Sequence, residues 1–158
     1  MIWLLCPMIK QSIFQREVAE NIIGRISAIT PDTPRQWGTM NATEMLQHCN
    51  LANEFILQGT AAYIAPNLKQ RFVKFLAMKV LPRFPKNHKG PKRVDVRGKV
   101  DIGAFQSYKQ TYINIMRAIP QRNLPVTSFH PSMGYLSHEE WGVIIWMHMD
   151  HHLRQFGL

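Results

Sequence analysis

Apolar residues recur at helical spacing in several long segments of the chain. Val18, Ile22 and Ile26 follow one another at intervals of four residues, which is typical of a helix that buries one face. Comparable stripes occur in further segments, and no segment shows a sustained alternation of apolar and polar residues. We therefore predict an all-α protein, a four-helix bundle with an extra short helix, whose ligand site lies between facing helices.

Residues that start or stop helices separate these segments. The sequences Ser12–Gln15, Asn41–Glu44 and Ser137–Glu140 have the form of a capping box, in which two residues at the start of a helix satisfy each other's backbone N–H groups. Pro82 and Pro120 cannot continue a helix because proline lacks the N–H group. These signals predict where the helices begin and end.

A further, strongly basic helix is predicted to begin at Pro66 and to end before Pro82. Its apolar residues should form a buried side, while the lysines between them extend toward solvent. The residues predicted to be buried are Leu68, Phe72, Phe75, Leu76 and Val80.

Positive charge is concentrated in the middle of the chain, and the net charge is +9. Residues 82–100 are rich in proline, glycine and charge and are predicted to form a long basic loop, with a hint of strand only at Val94–Arg97. Such a block attracts anions, although a solvated surface is the simpler explanation. The candidate anion-binding residues are Lys89, Lys92, Arg93 and Arg97.

The length of 158 residues predicts a single domain over residues 9–158, and residues 1–8 are predicted to be a loose extension. That extension is apolar but lacks the basic start of a signal peptide. Two cysteines do not form a disulfide framework, which predicts a reducing, cytoplasmic location. No apolar run approaches the ~20 residues of a membrane span. Nucleic acid is not an expected partner, since no aromatic residues are interleaved with the basic ones.

A cluster of histidines near the C-terminus carries the most specific chemistry. His148 and His152 are four residues apart in a predicted helix, so their side chains lie on one face and can bind one divalent metal ion. His48 lies mid-helix within another apolar stripe. Any of these alone would be an ordinary core or surface histidine, but the three together predict a metal site with one coordination position left open.

Four further residues are secondary or pocket candidates. His151 neighbours the histidine pair, and His130 stands in a loop where it can line the site or simply form a turn. Glu44 lies one turn before His48 and can accept a hydrogen bond from a ligand, although its capping role explains it equally well. Gln155 follows His152 by three residues, near the floor or the exit of the pocket.

These motifs resemble the DinB-like superfamily of four-helix-bundle metalloenzymes, and in particular a branch catalogued as a domain of unknown function. The resemblance extends from about Ile9 to the C-terminus, and its middle part matches only in outline. The motifs that carry it are residues 37–41 and 44–48, His130-Pro131 with Gly134, residues 140–142 and residues 148–157.

The resemblance implies a divalent metal, most often zinc or nickel, bound at the positions matching His48, His148 and His152. It also implies a low-molecular-weight thiol, such as glutathione or bacillithiol, as cosubstrate for S-transferase or isomerase chemistry on a small electrophile. Many members of the superfamily form dimers, which implies a homodimer.

We predict a metal-dependent thiol transferase or isomerase whose small-molecule substrate can be anionic. One alternative is a non-catalytic binding protein that uses its basic face for acidic partners or nucleic acid. Another is a metal-dependent hydrolase that uses an activated water. The sequence contains no nucleophile elbow, phosphate-binding loop or dinucleotide fingerprint.

Overall fold

A computed structural model describes residues 10–59, 64–87 and 90–158 of the chain. The extension predicted over residues 1–8 and the candidate anion ligand Lys89 lie outside the described residues. Within these ranges, no helix is long and apolar enough to cross a membrane.

Helices account for most of the described secondary structure. The α-helices are α1 (Arg16–Ser27), α2 (Ala42–Gln58), α3 (Leu68–Phe75), α4 (Phe105–Ala118) and α5 (His138–Gln155). One turn of π-helix, Leu76–Val80, extends α3, and 3₁₀ turns occur at Lys92–Val94, Ile102–Ala104 and Ile119–Gln121. Two short strands, β1 (Phe129–His130) and β2 (Gly134–Tyr135), pair in antiparallel register.

Four of these helices close into a bundle around one core. α1 packs against α4 and α5, and α2 packs against the same two helices. Each helix therefore has two neighbours, and their apolar stripes meet in the centre. The prediction of an all-α bundle is confirmed. The largest fully buried side chains include Ile22, Ile26, Met45, Leu46, Tyr112, Met116, Trp141 and Ile145.

Capping boxes start α2 and α5 as predicted. The Asn41 side chain accepts the Glu44 N–H, while the Glu44 carboxylate accepts the Asn41 N–H. Ser137 and Glu140 make the same reciprocal pair at α5. A cap satisfies backbone N–H groups that have no partner within the first helical turn. These two boxes therefore fix the residues at which the helices that carry the histidines begin.

The capping box predicted at Ser12–Gln15 is wrong. α1 begins only at Arg16, and Gln15 at its N-cap makes no side-chain hydrogen bond. The segment is instead a turn that packs against α5, where the Ile13 N–H donates to the Gly142 carbonyl at 3.0 Å. A side chain at Gly142 would collide with this turn, so the close approach requires glycine.

The prediction of a buried side for the α3 segment is also wrong. Leu68 is 82% exposed, Phe72 61%, Phe75 55% and Val80 55%, and Leu76 is only half-buried. The reason is tertiary, because α3 packs beside β2, outside the ring of four helices. No bundle helix therefore covers its apolar side.

Two short features differ from expectation. The strand hint at Val94–Arg97 is wrong, since Val94 ends a 3₁₀ turn within the long basic loop. The β1–β2 hairpin was not predicted, because strands of two residues are too short to show alternation. The hairpin leads directly into α5 and so positions the start of that helix.

Candidate metal centre

His48 reaches the interior from the middle of α2. The helix starts at the cap on Asn41, and Met45 and Cys49 are buried on it. His48 is itself only 8% exposed. Its Nδ1 lies 2.7 Å from the Val94 carbonyl oxygen, which places the basic loop directly beside the ring.

His148 and His152 lie one turn apart on α5. His152 is buried, and His148 is half-buried. Asp150 lies between them in sequence but points elsewhere, since its carboxylate pairs with Arg25 at 3.0 Å and with Arg154 at 2.7 Å. The carboxylate therefore joins α1 to α5 and is not a ligand of the histidine cluster.

The three predicted ligands converge on one point. His148 Nε2 lies 3.2 Å from His48 Nε2 and 3.0 Å from His152 Nε2, and one ring nitrogen from each residue lies within 4.8 Å of the others. In a tetrahedral zinc site with bonds of about 2.0–2.1 Å, neighbouring ligand nitrogens would be about 3.3 Å apart. The spacing fits a single ion, with small adjustments.

Hydrogen bonds on the outer side of two rings determine which nitrogen faces the centre. The partner of His48 Nδ1 is the Val94 carbonyl, so Nδ1 carries the proton and donates it. His152 Nδ1 lies 2.9 Å from Gln155 Oε1. The Gln155 amide donates to the Trp37 carbonyl at 2.9 Å, which leaves the amide oxygen to accept from His152.

Both of these rings therefore direct an unprotonated Nε2 at the centre, where the third ring can offer at most one proton. Three nitrogens this close, with so few protons among them, are poorly satisfied by one another. A divalent cation could accept all three lone pairs at once. The donor set fits a metal ion, and imidazole is a ligand that zinc and nickel both accept.

Burial keeps the three imidazoles neutral. Desolvation is the main cause in each case: it lowers the pKa of His152 to about 3 and the pKa of His148 well below its usual range. The pKa of His48 is also lowered, although its hydrogen bond to Val94 opposes the shift. Neutral imidazole is the form that binds a metal, so the cluster is ready to bind one at neutral pH.

Gln155 connects the cluster to the segment before α2. Its backbone carbonyl accepts from the Gln36 N–H at 2.6 Å, and its amide donates to Trp37. Gly38 has a φ of +77°, and a side chain there would collide with the Gln155 amide nitrogen. The sequence placed Gln155 at the floor or the exit of the pocket, and the structure places it against His152.

Glu44 contributes through the loop. One carboxylate oxygen accepts the Asn41 N–H at 2.9 Å in the capping box, and the other accepts the Gly98 N–H at 2.6 Å. The loop is thus tied to α2 at two points, Val94 and Gly98. From sequence, Glu44 was either an acceptor for a metal ligand or simply a capping residue. Its hydrogen bonds are those of the cap and of an anchor for the loop that supplies the partner of His48.

His151 lies on the far side of the cluster. It is buried, its ring centre is 6.0 Å from that of Trp37 in an edge-on arrangement, and it is 5.1 Å from the His152 ring. The side chain therefore packs between the His152 ring and the segment before α2.

His130 is a turn residue of the β1–β2 hairpin. Its Nδ1 accepts from the N–H groups of Ser132 at 3.1 Å and Met133 at 3.2 Å, and its ring lies beside Trp141. The ring is also close enough to contribute to the lowered pKa of His148. The sequence allowed His130 either to line the site or to form a turn, and these hydrogen bonds are those of a turn residue.

Two of the candidate anion-binding residues, Arg97 and Arg93, have other partners. Arg97 pairs with Asp95, with Nε 2.8 Å from Oδ1. The Arg93 guanidinium lies 3.3 Å from the centre of the Phe55 ring. Lys92 is exposed on its turn. These side chains do not form a shared anion cage in the part of the chain that the structure describes.

Apart from Gln155, the groups that orient the clustered histidines belong to the backbone, and sequence reasoning missed them. The carbonyls of Val94 and Trp37 and the N–H of Gly98 act in this way, and no side-chain type marks such a role. Two residues could have pointed to these backbone groups. Val94 is an apolar residue within a polar loop and is buried, and Gly38 has a positive φ, a conformation that favours glycine.

The chain matches a family without an assigned activity. Residues 14–157 match the family described as "Protein of unknown function (DUF1569)". No curated protein and no solved structure matches the chain significantly, so membership of the DinB-like superfamily stays a prediction. The match includes every helix of the bundle and all three clustered histidines. The chain therefore belongs to the DUF1569 family of proteins of unknown function.

Proposed function

We propose that the protein binds one divalent transition-metal ion through His48, His148 and His152 and is a metal-dependent enzyme. The observation that carries the proposal is the convergence of three neutral imidazoles, two of them held from behind by hydrogen bonds. Three protein ligands leave a coordination position for a reactant, as in catalytic zinc sites. Zinc and nickel are the proposed ions.

The proposed reaction is S-transfer or isomerisation with a low-molecular-weight thiol of the glutathione or bacillithiol kind. A bound ion would supply the positive charge that favours loss of the thiol proton near neutral pH. The three ligands are uncharged, so they leave that positive charge undiminished. His148 is half-buried while the other two ligands are buried, so the thiol would approach from the side of His148.

The cosubstrate is proposed to be anionic because the loop beside His48 is basic. Lys92 and Arg93 lie on the turn that ends at Val94. Since both residues are exposed, they would raise the local concentration of an anion rather than bind it in a fixed pose.

We also propose a homodimer and a reducing, cytoplasmic setting, in which such thiols stay reduced.

Metal content tests the site directly. Protein purified without a histidine tag should hold about one equivalent of metal, and His48→Ala and His152→Ala should lose it. His138→Gln is the matched control, because His138 lies on the same helix but outside the cluster. An absence of bound metal after incubation with zinc, nickel, manganese and iron would exclude the metalloenzyme.

Activity assays then separate the classes of enzyme. The metal-loaded protein should consume an electrophile only when a thiol is added, and a carboxylated thiol should react more slowly as salt screens the basic loop. Turnover of esters or electrophiles without thiol would instead identify a hydrolase. A metal-loaded protein that is inactive in both assays would favour the non-catalytic alternative.

A further inference from the structure

The helix α3 and its π-helical extension expose an apolar surface on the outside of the bundle. Leu68, Phe72, Phe75 and Val80 are each more than half exposed, and we call these four residues the α3 face. Contiguous exposed apolar patches of this kind mark surfaces that contact something else. Two aromatic rings on a single short helix make this the most concentrated such patch among the described residues.

Positive charge borders the α3 face on both sides. At about 100° per residue, Leu68, Phe72 and Phe75 fall within an arc of about 60°. Lys69 lies to one side of this arc and Arg71 to the other, and both are exposed. An apolar ridge between two cationic edges is the arrangement of helices that lie in the plane of a membrane interface.

Contacts on the opposite side of α3 hold this orientation. The Gln70 amide donates to the Pro131 carbonyl at 3.0 Å, and Lys74 pairs with Glu140 on α5 at 2.6 Å. Ala77 on the extension is buried against the body of the protein. The inner side is therefore fixed by directed contacts, and the α3 face points outward as a consequence.

The charge around this helix selects one class of partner. No acidic residue occurs between Glu54 and Asp95. A second copy of the chain docked through the same face would bring cationic edges against cationic edges, which is unfavourable. Aliphatic Leu68 and Val80 beside the two rings suit hydrocarbon better than the stacked bases of a nucleic acid. The basic residues in this interval are Lys69, Arg71, Lys74, Lys79, Arg83, Lys86, Lys89, Lys92 and Arg93.

We propose that the α3 face docks on the surface of an anionic lipid bilayer. The helix would lie parallel to the membrane, with Phe72 and Phe75 at the boundary between headgroups and acyl chains. Lys69 and Arg71 would extend along its edges to the lipid phosphates. This peripheral association is independent of the metal site, which lies between α2 and α5.

Sedimentation with lipid vesicles tests the proposal on the full-length protein. Vesicles of phosphatidylcholine with phosphatidylserine should bind at least about tenfold more tightly than phosphatidylcholine alone, and the difference should shrink at high salt. Phe72→Ser combined with Phe75→Ser should weaken binding about tenfold or more. Lys69→Gln combined with Arg71→Gln should weaken binding to the anionic vesicles only.

Control variants distinguish vesicle binding by the α3 face from vesicle binding by other apolar parts of the chain. Ile102→Ser removes an apolar side chain that is 66% exposed on the 3₁₀ turn before α4, and it should leave vesicle binding unchanged. The exposed substitutions should leave the circular dichroism spectrum and the melting temperature unchanged. A chain that starts at Met8 lacks most of the apolar N-terminus and should still bind.

Three results would overturn the proposal. The first is equal or negligible binding of the two vesicle types by the wild type. The second is binding that disappears in the chain starting at Met8 but persists in the double serine variant, which would assign it to the N-terminus. The third is self-association that the double serine variant abolishes while vesicle binding stays unchanged, which would assign the face to a second copy of the chain.

Discussion

A histidine that binds a metal through one nitrogen depends on what holds its other nitrogen. Gln155 accepts from His152 Nδ1 at 2.9 Å, and its own amide is fixed by the Trp37 carbonyl at 2.9 Å. The amide group is thus held in the orientation that presents its oxygen, not its nitrogen, to the imidazole. This single residue determines both the tautomer and the direction of one proposed ligand.

Replacing Gln155→Leu keeps a side chain of similar size but removes both hydrogen bonds. We expect the affinity for zinc, measured by competition with a chromogenic chelator, to fall about 10–100-fold. Gln110→Leu is the control, because Gln110 is exposed and its side-chain amide donates to Asn114 on the same helix, away from the histidine cluster. Equal zinc affinity in the two variants would show that Gln155 does not orient the ligand.

Among the elements, α2 and the basic loop act as one unit. Glu44 caps α2 and also holds the Gly98 N–H, while His48 on the same helix donates to the Val94 carbonyl. The loop therefore gives His48 its partner, and α2 gives the loop its position. We therefore expect that a change in the capping box of α2 alters metal binding at the proposed site.

Glu44→Ala should have two effects. The variant loses the hydrogen bonds that the carboxylate accepts from the Asn41 and Gly98 N–H groups, which should lower the free energy of unfolding by about 1–3 kcal/mol. Release of the loop at Gly98 should also weaken zinc binding. Gln70→Ala removes the corresponding residue of the α3 capping box and should leave zinc affinity unchanged. Urea unfolding and chelator competition measure the two effects, and equal zinc affinity in both variants would contradict the coupling.

The α3 segment shows how tertiary placement overrides a sequence pattern. Its apolar residues have helical periodicity, and such a stripe normally faces a core. The structure forms the helix where Pro66 and Pro82 indicated, with Asn67 as its N-cap. The helix nevertheless lies outside the ring, so the same stripe faces outward.

At the scale of the whole molecule, burying three imidazoles makes folding depend on pH. In the unfolded chain each histidine takes up a proton when the pH falls below its usual pKa of 6.5. In the folded protein the pKa of His152 is lowered to about 3, so this residue stays neutral until the pH approaches that value. As the pH falls between these values, the unfolded state gains protons that the folded state does not. The stability of the metal-free protein is thus highest above this window and decreases within it.

Acid unfolding of the metal-free protein measures this linkage. His152 alone should remove about 2 kcal/mol of the free energy of unfolding between about pH 6.5 and about pH 5, since each pH unit is worth about 1.4 kcal/mol per proton. The carboxylates also titrate at lower pH, so the comparison is with His152→Gln. That variant should lose less stability over this window, and identical losses would contradict the lowered pKa of His152.

The sequence by itself determined the number and type of the main elements and the pair of histidines on α5. Helical periodicity, capping residues and prolines are local signals, and they act over one or two turns. The pair His148 and His152 is likewise local, since a helix brings residues four apart onto one face. These features were readable because no distant part of the chain is needed to produce them.

Only the tertiary structure determined which segments of the chain face one another. It brought His48 to the α5 pair, supplied carbonyls from Val94 and Trp37, and left α3 outside the bundle. Backbone partners have no side-chain signature, and whether an apolar stripe is covered depends on how many helices the core can accommodate. Both properties arise from packing between segments far apart in the chain, which local residue patterns do not encode.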